Sequence, residues 1–445
     1  MKNLLSRALA VAAVALPAVS ASGPLAYRQP PLKQSLSNAE NEMYWKSQAQ
    51  AEGRRLCFVL PDAEGGDDAP ALMQALNHDC RSKGMVVLPG ALYHIDSNMT
   101  TLDLDDVEIH QFGRLLWSGD LDYWLSVSMP VGFQNQSTVW YFGGDRVNWN
   151  GYKTGTMDGN GQLWYDWARS QGNLAHRPMN INFRSLTNSA VRGLRFVQSQ
   201  MWTMAVSNSQ YVDFEDIYVN STSTSEWSTL NTDGCDTINS DSITFRRWHV
   251  INGDDAIALK GNSSNISIYD SVFEDGQGVA IGSLAQYDGR HEYVTDFYAR
   301  NITLRNCAHV SYIKTWAGIS TGYPPNGGGG GYGTARNLTM EDVVVEGGRQ
   351  EPFYLWQCEN YSGLAGQNCD TSAFKVEDVA WRRVSGWATT SVVHVVHFQC
   401  SAAAGGCDNM EVTDFNVTTV GTGAPLVKWY CRNVNNPIGF TCNDS

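Results

Sequence analysis

The chain has 445 residues, of which 42% are hydrophobic and 17% charged, enough apolar surface for a large core and too little charge for disorder. Its formal net charge of −14 argues against a nucleic-acid partner, which would need clustered Lys and Arg. The same charge repels polyanions at long range, so an anionic ligand would need cations placed locally.

Taken in chain order, the first predicted element is a targeting segment. Lys2 and Arg7 precede an apolar run over 8–19, and Val19, Ser20 and Ala21 supply a small-residue cleavage site. That pattern predicts a signal peptide over 1–21, too short to span a bilayer, followed by one domain over 22–445. The expectation is a secreted, extracellular protein with no membrane partner. Residues 65–80 read as a capped helix closing one end of the fold, and MVVLPGALYHI from Met85 reads as the first strands.

From Tyr211 onward one phrase repeats, beginning again at Ser242, Asn265, Asn301, Asn337, Phe374 and Met410. Each copy alternates apolar and polar residues, breaks, and gives a second short strand. The spacing of roughly 23 to 36 residues is that of a solenoid. One coil cannot bury its own apolar face, but stacked coils bury a continuous interior and pair each strand with the next. A β-sandwich would place turns every ~8–12 residues, which these phrases do not. The Asn that opens several phrases suits a left-handed corner, where stacked side chains can bond along the solenoid. The Gly-rich run over 322–333 reads as a mobile loop between coils.

Ten cysteines and ten N-x-S/T sequons agree with export. Spacing suggests the pairs Cys57 with Cys80, Cys358 with Cys369, Cys400 with Cys407 and Cys431 with Cys442, leaving Cys235 with Cys307 by elimination. The sequons lie at Asn98, Asn135, Asn220, Asn262, Asn265, Asn301, Asn337, Asn360, Asn416 and Asn443. Glycans scattered over most coils would argue for a monomer.

The densest acidic signal is NTDGCD from Asn231, followed one coil later by NGDDAIALK from Asn252. Stacking would set Asp233 beside Asp254, with Asp255 as a third carboxylate. Mutual repulsion then raises at least one pKa, giving an acid beside bases, the mixture that glycoside hydrolysis needs. The same residue types also serve turns and calcium sites.

NTDG at Asn231, NGDD at Asn252, GQGVAIGS at Gly276 and YIK at Tyr312 resemble, in order and spacing, the signatures of glycoside hydrolase family 28, the polygalacturonase family. The resemblance covers nearly the whole mature chain and is nearest in character to exo-acting, rhamnogalacturonan-directed fungal members. It implies an all-β, single-stranded, right-handed parallel β-helix and inverting hydrolysis of pectic chains without metal or cofactor. It also implies that Asp254 is the general acid, that Asp233 and Asp255 activate water, and that Lys314 binds a sugar carboxylate or hydroxyl, with Asn231, Asn252, Gln277 and Tyr312 on the substrate.

Two positions depart from the family pattern. Gln277 stands where it has His, and Tyr312 where it has Arg. Gln cannot carry charge, and Tyr exchanges a fixed cation for a ring and a hydroxyl. The expected activity is therefore exo-cleavage of α-linked galacturonan or rhamnogalacturonan, with an α-L-rhamnosidase as the alternative. A pectate lyase or a non-catalytic carbohydrate-binding β-helix are the competing classes.

Overall fold

In a computed structural model covering residues 37–359 and 366–443, short parallel strands follow one another around a single solenoid. The expected signal peptide and Asn360 lie outside the described residues. Nearly all strands join one 27-stranded sheet, in which each pairs mainly with the strand one coil before and one coil after.

The column that matters for function is built from β1 (Met204–Ser207), β2 (Asp236–Ile238), β3 (Asp255–Leu259), β4 (Gly278–Leu284), β5 (Ser311–Trp316), β6 (Phe353–Glu359), β7 (His394–Gln399) and β8 (Lys428–Arg432). Within a coil, β1 is followed by the strands Gln210–Glu215 and Tyr218–Asn220, which form two further faces. Alternation sends every second side chain inward. Thus Ile243, Ile266, Phe297, Leu338, Val379 and Met410 follow one another rung by rung, all buried. Each such side chain contributes about 1.5–3 kcal/mol by leaving water.

The corners explain the asparagines. Asn265, Asn301 and Asn337 have φ of 53°, 59° and 57°, the left-handed region where Asn is tolerated. Their side chains bond along the stack, but to aspartates rather than to one another: Asn301 Nδ2 donates to Asp270 at 2.8 Å and Asn337 Nδ2 to Asp296 at 2.7 Å.

The N-terminal end departs from expectation in two ways. The first strand is Arg55–Phe58, ahead of Gly84–Leu88, and a longer helix, α1 (Asn38–Ala51), precedes it. In α1, Ser37 and Glu40 form a reciprocal capping box. The expected helix runs over Ala69–Gln74 and continues as one wider turn to Asp79. Asp68 does not cap it; its carboxylate accepts from the Asp62 and His94 amides instead.

The four local disulfides are formed. The fifth is not: Cys235 and Cys307 are buried free thiols. Cys235 precedes Asp236, whose register passes through Ala258 and Ala280 to Tyr312 in the coil that begins with Cys307. Three rungs at ~4.8 Å exceed the ~7 Å reach of a disulfide. The Gly-rich run is also tied down rather than loose: Gly329 N donates to Gln286 O at 2.7 Å, and Gln286 Nε2 donates to the Pro325 and Gly327 carbonyls at 3.0 Å each.

Candidate active site

The site forms where the turns leading into β2, β3 and β4 stack. Gly234 N donates to Asp255 O at 2.9 Å and Gln277 N to Asp254 O at 2.8 Å, so the acidic turns sit directly on one another. Gly253 between Asn252 and Asp254 is required by closeness: a Cβ there would lie 2.2 Å from Thr229 Oγ1. Strict alternation would turn Asp254 and Asp255 to opposite faces. Asp254 instead precedes the strand, and the register slips between Asp255 and Ile257, so both carboxylates reach one side.

One oxygen each from Asp233, Asp254 and Asp255 lies within 4.8 Å of the others. Asp233 and Asp255 are buried, whereas Asp254 is half-exposed and reaches into the cleft. Asp254 is held at both oxygens: Oδ2 accepts from the Asn231 amide at 2.9 Å and Oδ1 from the Asp255 amide at 3.0 Å. Burial, and then the charge of Asp255, push its carboxyl up to about 6. Burial and the neighbouring Asp254 also drive Asp233 well above the usual carboxylate range. The cluster therefore retains a proton in mild acid.

The floor between these carboxylates and the next coils is made of small residues. Asp236, Ala258, Ala280 and Tyr312 are in register, and Gly282 occupies the rung between Lys260 and Lys314. The result is a cavity of about 380 Å³ lined by the three aspartates, Asn231, Gln277, Tyr312 and Lys314, together with Gln134, Asn173, Trp202, Lys260 and Glu359. Tyr312 donates its hydroxyl to Asp255 Oδ1, and burial beside that carboxylate raises the phenol so that it stays a neutral donor. Lys314 Nζ lies 3.2 Å from the Tyr312 hydroxyl and 3.6 Å from Asp255 Oδ2.

Of the residues expected on the substrate, Asn231, Gln277, Tyr312 and Lys314 line this cavity. Asn252 does not. Its amide donates to the Thr232 and Asp255 carbonyls, both at 2.8 Å, and it clamps the two acidic turns from beneath. Arg177 is likewise buried, donating to the Gln200 and Leu230 carbonyls under the site. Trp316 is fully buried in the core.

Sequence reasoning missed Gln134, Asn173 and Trp202, which arrive from coils and loops with no acidic or repeat signal. Gln134 is fixed by donating its Nε2 to Gln286 Oε1 at 2.5 Å and its backbone N–H to the Tyr287 hydroxyl at 2.6 Å. Lys260 was readable, as a lysine that directly follows the apolar run of β3.

A stacked parallel solenoid carrying three converging aspartates offers an acid beside bases in an open cleft, as polysaccharide cleavage needs, and comparison with known proteins specifies the class. Residues 126–442 match the model for glycosyl hydrolases family 28, and the chain belongs to that family. It is 41% identical over 390 residues to alpha-L-rhamnosidase rgxB of Aspergillus niger, covering 87% of this chain and 90% of that protein. It is 30% identical over 387 residues to exopolygalacturonase X-1 of Emericella nidulans, covering 86% and 87%. Among solved structures, endo-xylogalacturonan hydrolase from Aspergillus tubingensis shares the fold, with a TM-score of 0.75 and 24% identity over 87% of this chain and 99% of that one.

Proposed function

We propose that this glycoside hydrolase is exported and acts from the end of pectic chains, releasing a terminal α-linked neutral sugar, with α-L-rhamnose next to galacturonate as the substrate class. The observation that carries the reading is Tyr312: where the family has an arginine, a neutral phenol is committed to Asp255. Four carboxylates then face two ammonium groups, Lys260 and Lys314, in the cavity lining. That balance disfavours a galacturonate in the cleaved position, while Lys314 suits a carboxylate on the neighbouring sugar. The 41% identity to a rhamnosidase supports the same choice.

In this reading Asp254 protonates the leaving oxygen, because it is the least buried of the three carboxyls and the proton that the cluster shares can sit on it. Asp233 and Asp255 draw the proton from the attacking water. The carboxylate oxygens are closer than the ~6.5–9.5 Å usual for an inverting pair, so their spacing is not what supports inversion. Inversion is the outcome that family membership supports. An exo-galacturonidase is the second reading, favoured by the resemblance to an exopolygalacturonase.

Product analysis on rhamnogalacturonan oligosaccharides, polygalacturonate and an aryl rhamnoside tests the proposal. Free rhamnose from non-reducing ends is expected, with the first-formed anomer inverted by NMR. Release of galacturonate alone would select the second reading, and unsaturated ultraviolet-absorbing products would overturn hydrolysis.

A further inference from the structure

Lys260 is 3% exposed and Asp236 is fully buried, and the two meet at 3.0 Å in the floor of the cavity. The ammonium also donates to Gly282 O at 2.9 Å and lies 5.1 Å from the centre of the Trp202 ring. Removing a lysine from water is costly, and a buried pair is often no more stable than a well-packed apolar one, so stability alone does not account for it. Its position does suggest a use. Asp236 lies three residues beyond Asp233, Lys260 itself lines the cavity, and the rungs between it and Lys314 carry Gly282 rather than a side chain that would shield them.

We propose that Lys260 is a positioning residue for water activation: anchored by Asp236 and Gly282, it supplies the positive charge that lets Asp233 and Asp255 serve as bases beside the acid Asp254. The inference rests on the hydrolytic reading above. The groups facing Asp233 are Asp254, Asp255 and Asp236 from the neighbouring turns and strands, Lys260 directly after β3, and Arg177 from beneath; Tyr312 and Lys314 face Asp255 from β5. Arg177 spends Nε and Nη1 on backbone carbonyls, and its buried Nη2 has no hydrogen-bond partner among the described residues. Burial pushes Asp236 up to about 7 against the pull of Lys260. In acid, Asp236 is therefore neutral, and the ammonium's charge falls to the catalytic carboxylates.

The test is the pH profile of purified Lys260→Gln and Lys260→Arg enzymes on the substrate that the wild type cleaves. Removing the cation raises Asp233, which must be ionised, so the acidic limb of kcat/KM in Lys260→Gln moves up by about half a pH unit or more. Its kcat falls about tenfold or more while KM changes less than about threefold, as for a group that acts in the transition state. Lys260→Arg keeps the wild-type limb. If either variant fails to fold, the neutral pair Lys260→Met with Asp236→Asn carries the same upward shift. An unmoved limb in the charge-removing variants, or an equal shift in Lys260→Arg, overturns the proposal. A wild type without glycosidase activity on the whole panel would instead sink the functional reading.

Discussion

Asp254 shows how one side chain can be chosen for chemistry against stability. As the acid it must carry a proton, so kcat/KM is expected to fall as pH rises through about 6. The same raised pKa means that the folded state holds a proton the unfolded chain would release. Its stabilising contribution is complete below the ordinary carboxylate range and lost as pH rises through about 6. Asp254→Asn should therefore act in opposite directions: kcat down by about 10²–10⁴, and the melting temperature at pH 7 up by roughly 2 °C. Steady-state assays and calorimetry on the same preparation check both, and a variant that lost stability together with activity would contradict this account. The three carboxylates were legible in the sequence because stacking converts a one-coil spacing into contact. Asn252 was misplaced because a motif does not reveal which of its members faces the cleft.

At the scale of elements, one wall of the cleft depends on a glutamine that joins three segments. Gln286 bonds the Gly-rich loop through two carbonyls and receives Gln134 from a loop 152 residues earlier. Gln134 lines the cavity, so the wall is only as firm as this junction. Gln286→Ala should raise KM for a chain-end oligosaccharide about 5- to 10-fold, the worth of one or two hydrogen bonds, with a smaller change in kcat. An unchanged KM would remove the wall from the binding account. The place of Gln286 after the third motif pointed to the cleft, but its bonds were not legible beforehand. Strand phrases announce themselves by period two, but loop-to-loop bonds between distant coils leave no periodic trace, and a run of glycines looks loose whether or not its amides are taken.

For the whole molecule, the repeat made the solenoid legible, since only stacking can bury phrases of that length. The cysteine arithmetic failed for the same reason that it worked: each coil keeps its neighbours local, so close pairs join and the leftover pair is stranded on different rungs. Burial holds the Cys235 thiol well above its ordinary value and pushes Cys307 up to about 12. A thiol reagent should find neither in the folded protein and two per chain in denaturant. Fewer than two after unfolding would mean that the pair is oxidised after all.

The corner asparagines carry a last consequence. Asn265, Asn301 and Asn337 are each followed by an inward apolar residue (Ile266, Ile302 and Leu338) and then by a Ser or Thr turned half outward. Left-handed bend, core contact, β-branched or hydroxylated surface position: in that order, the needs of the coil spell the acceptor triplet for sugar attachment. Part of the richness in such triplets is thus a by-product of architecture, and winding a chain this way writes them whether or not any enzyme of the secretory route ever reads them.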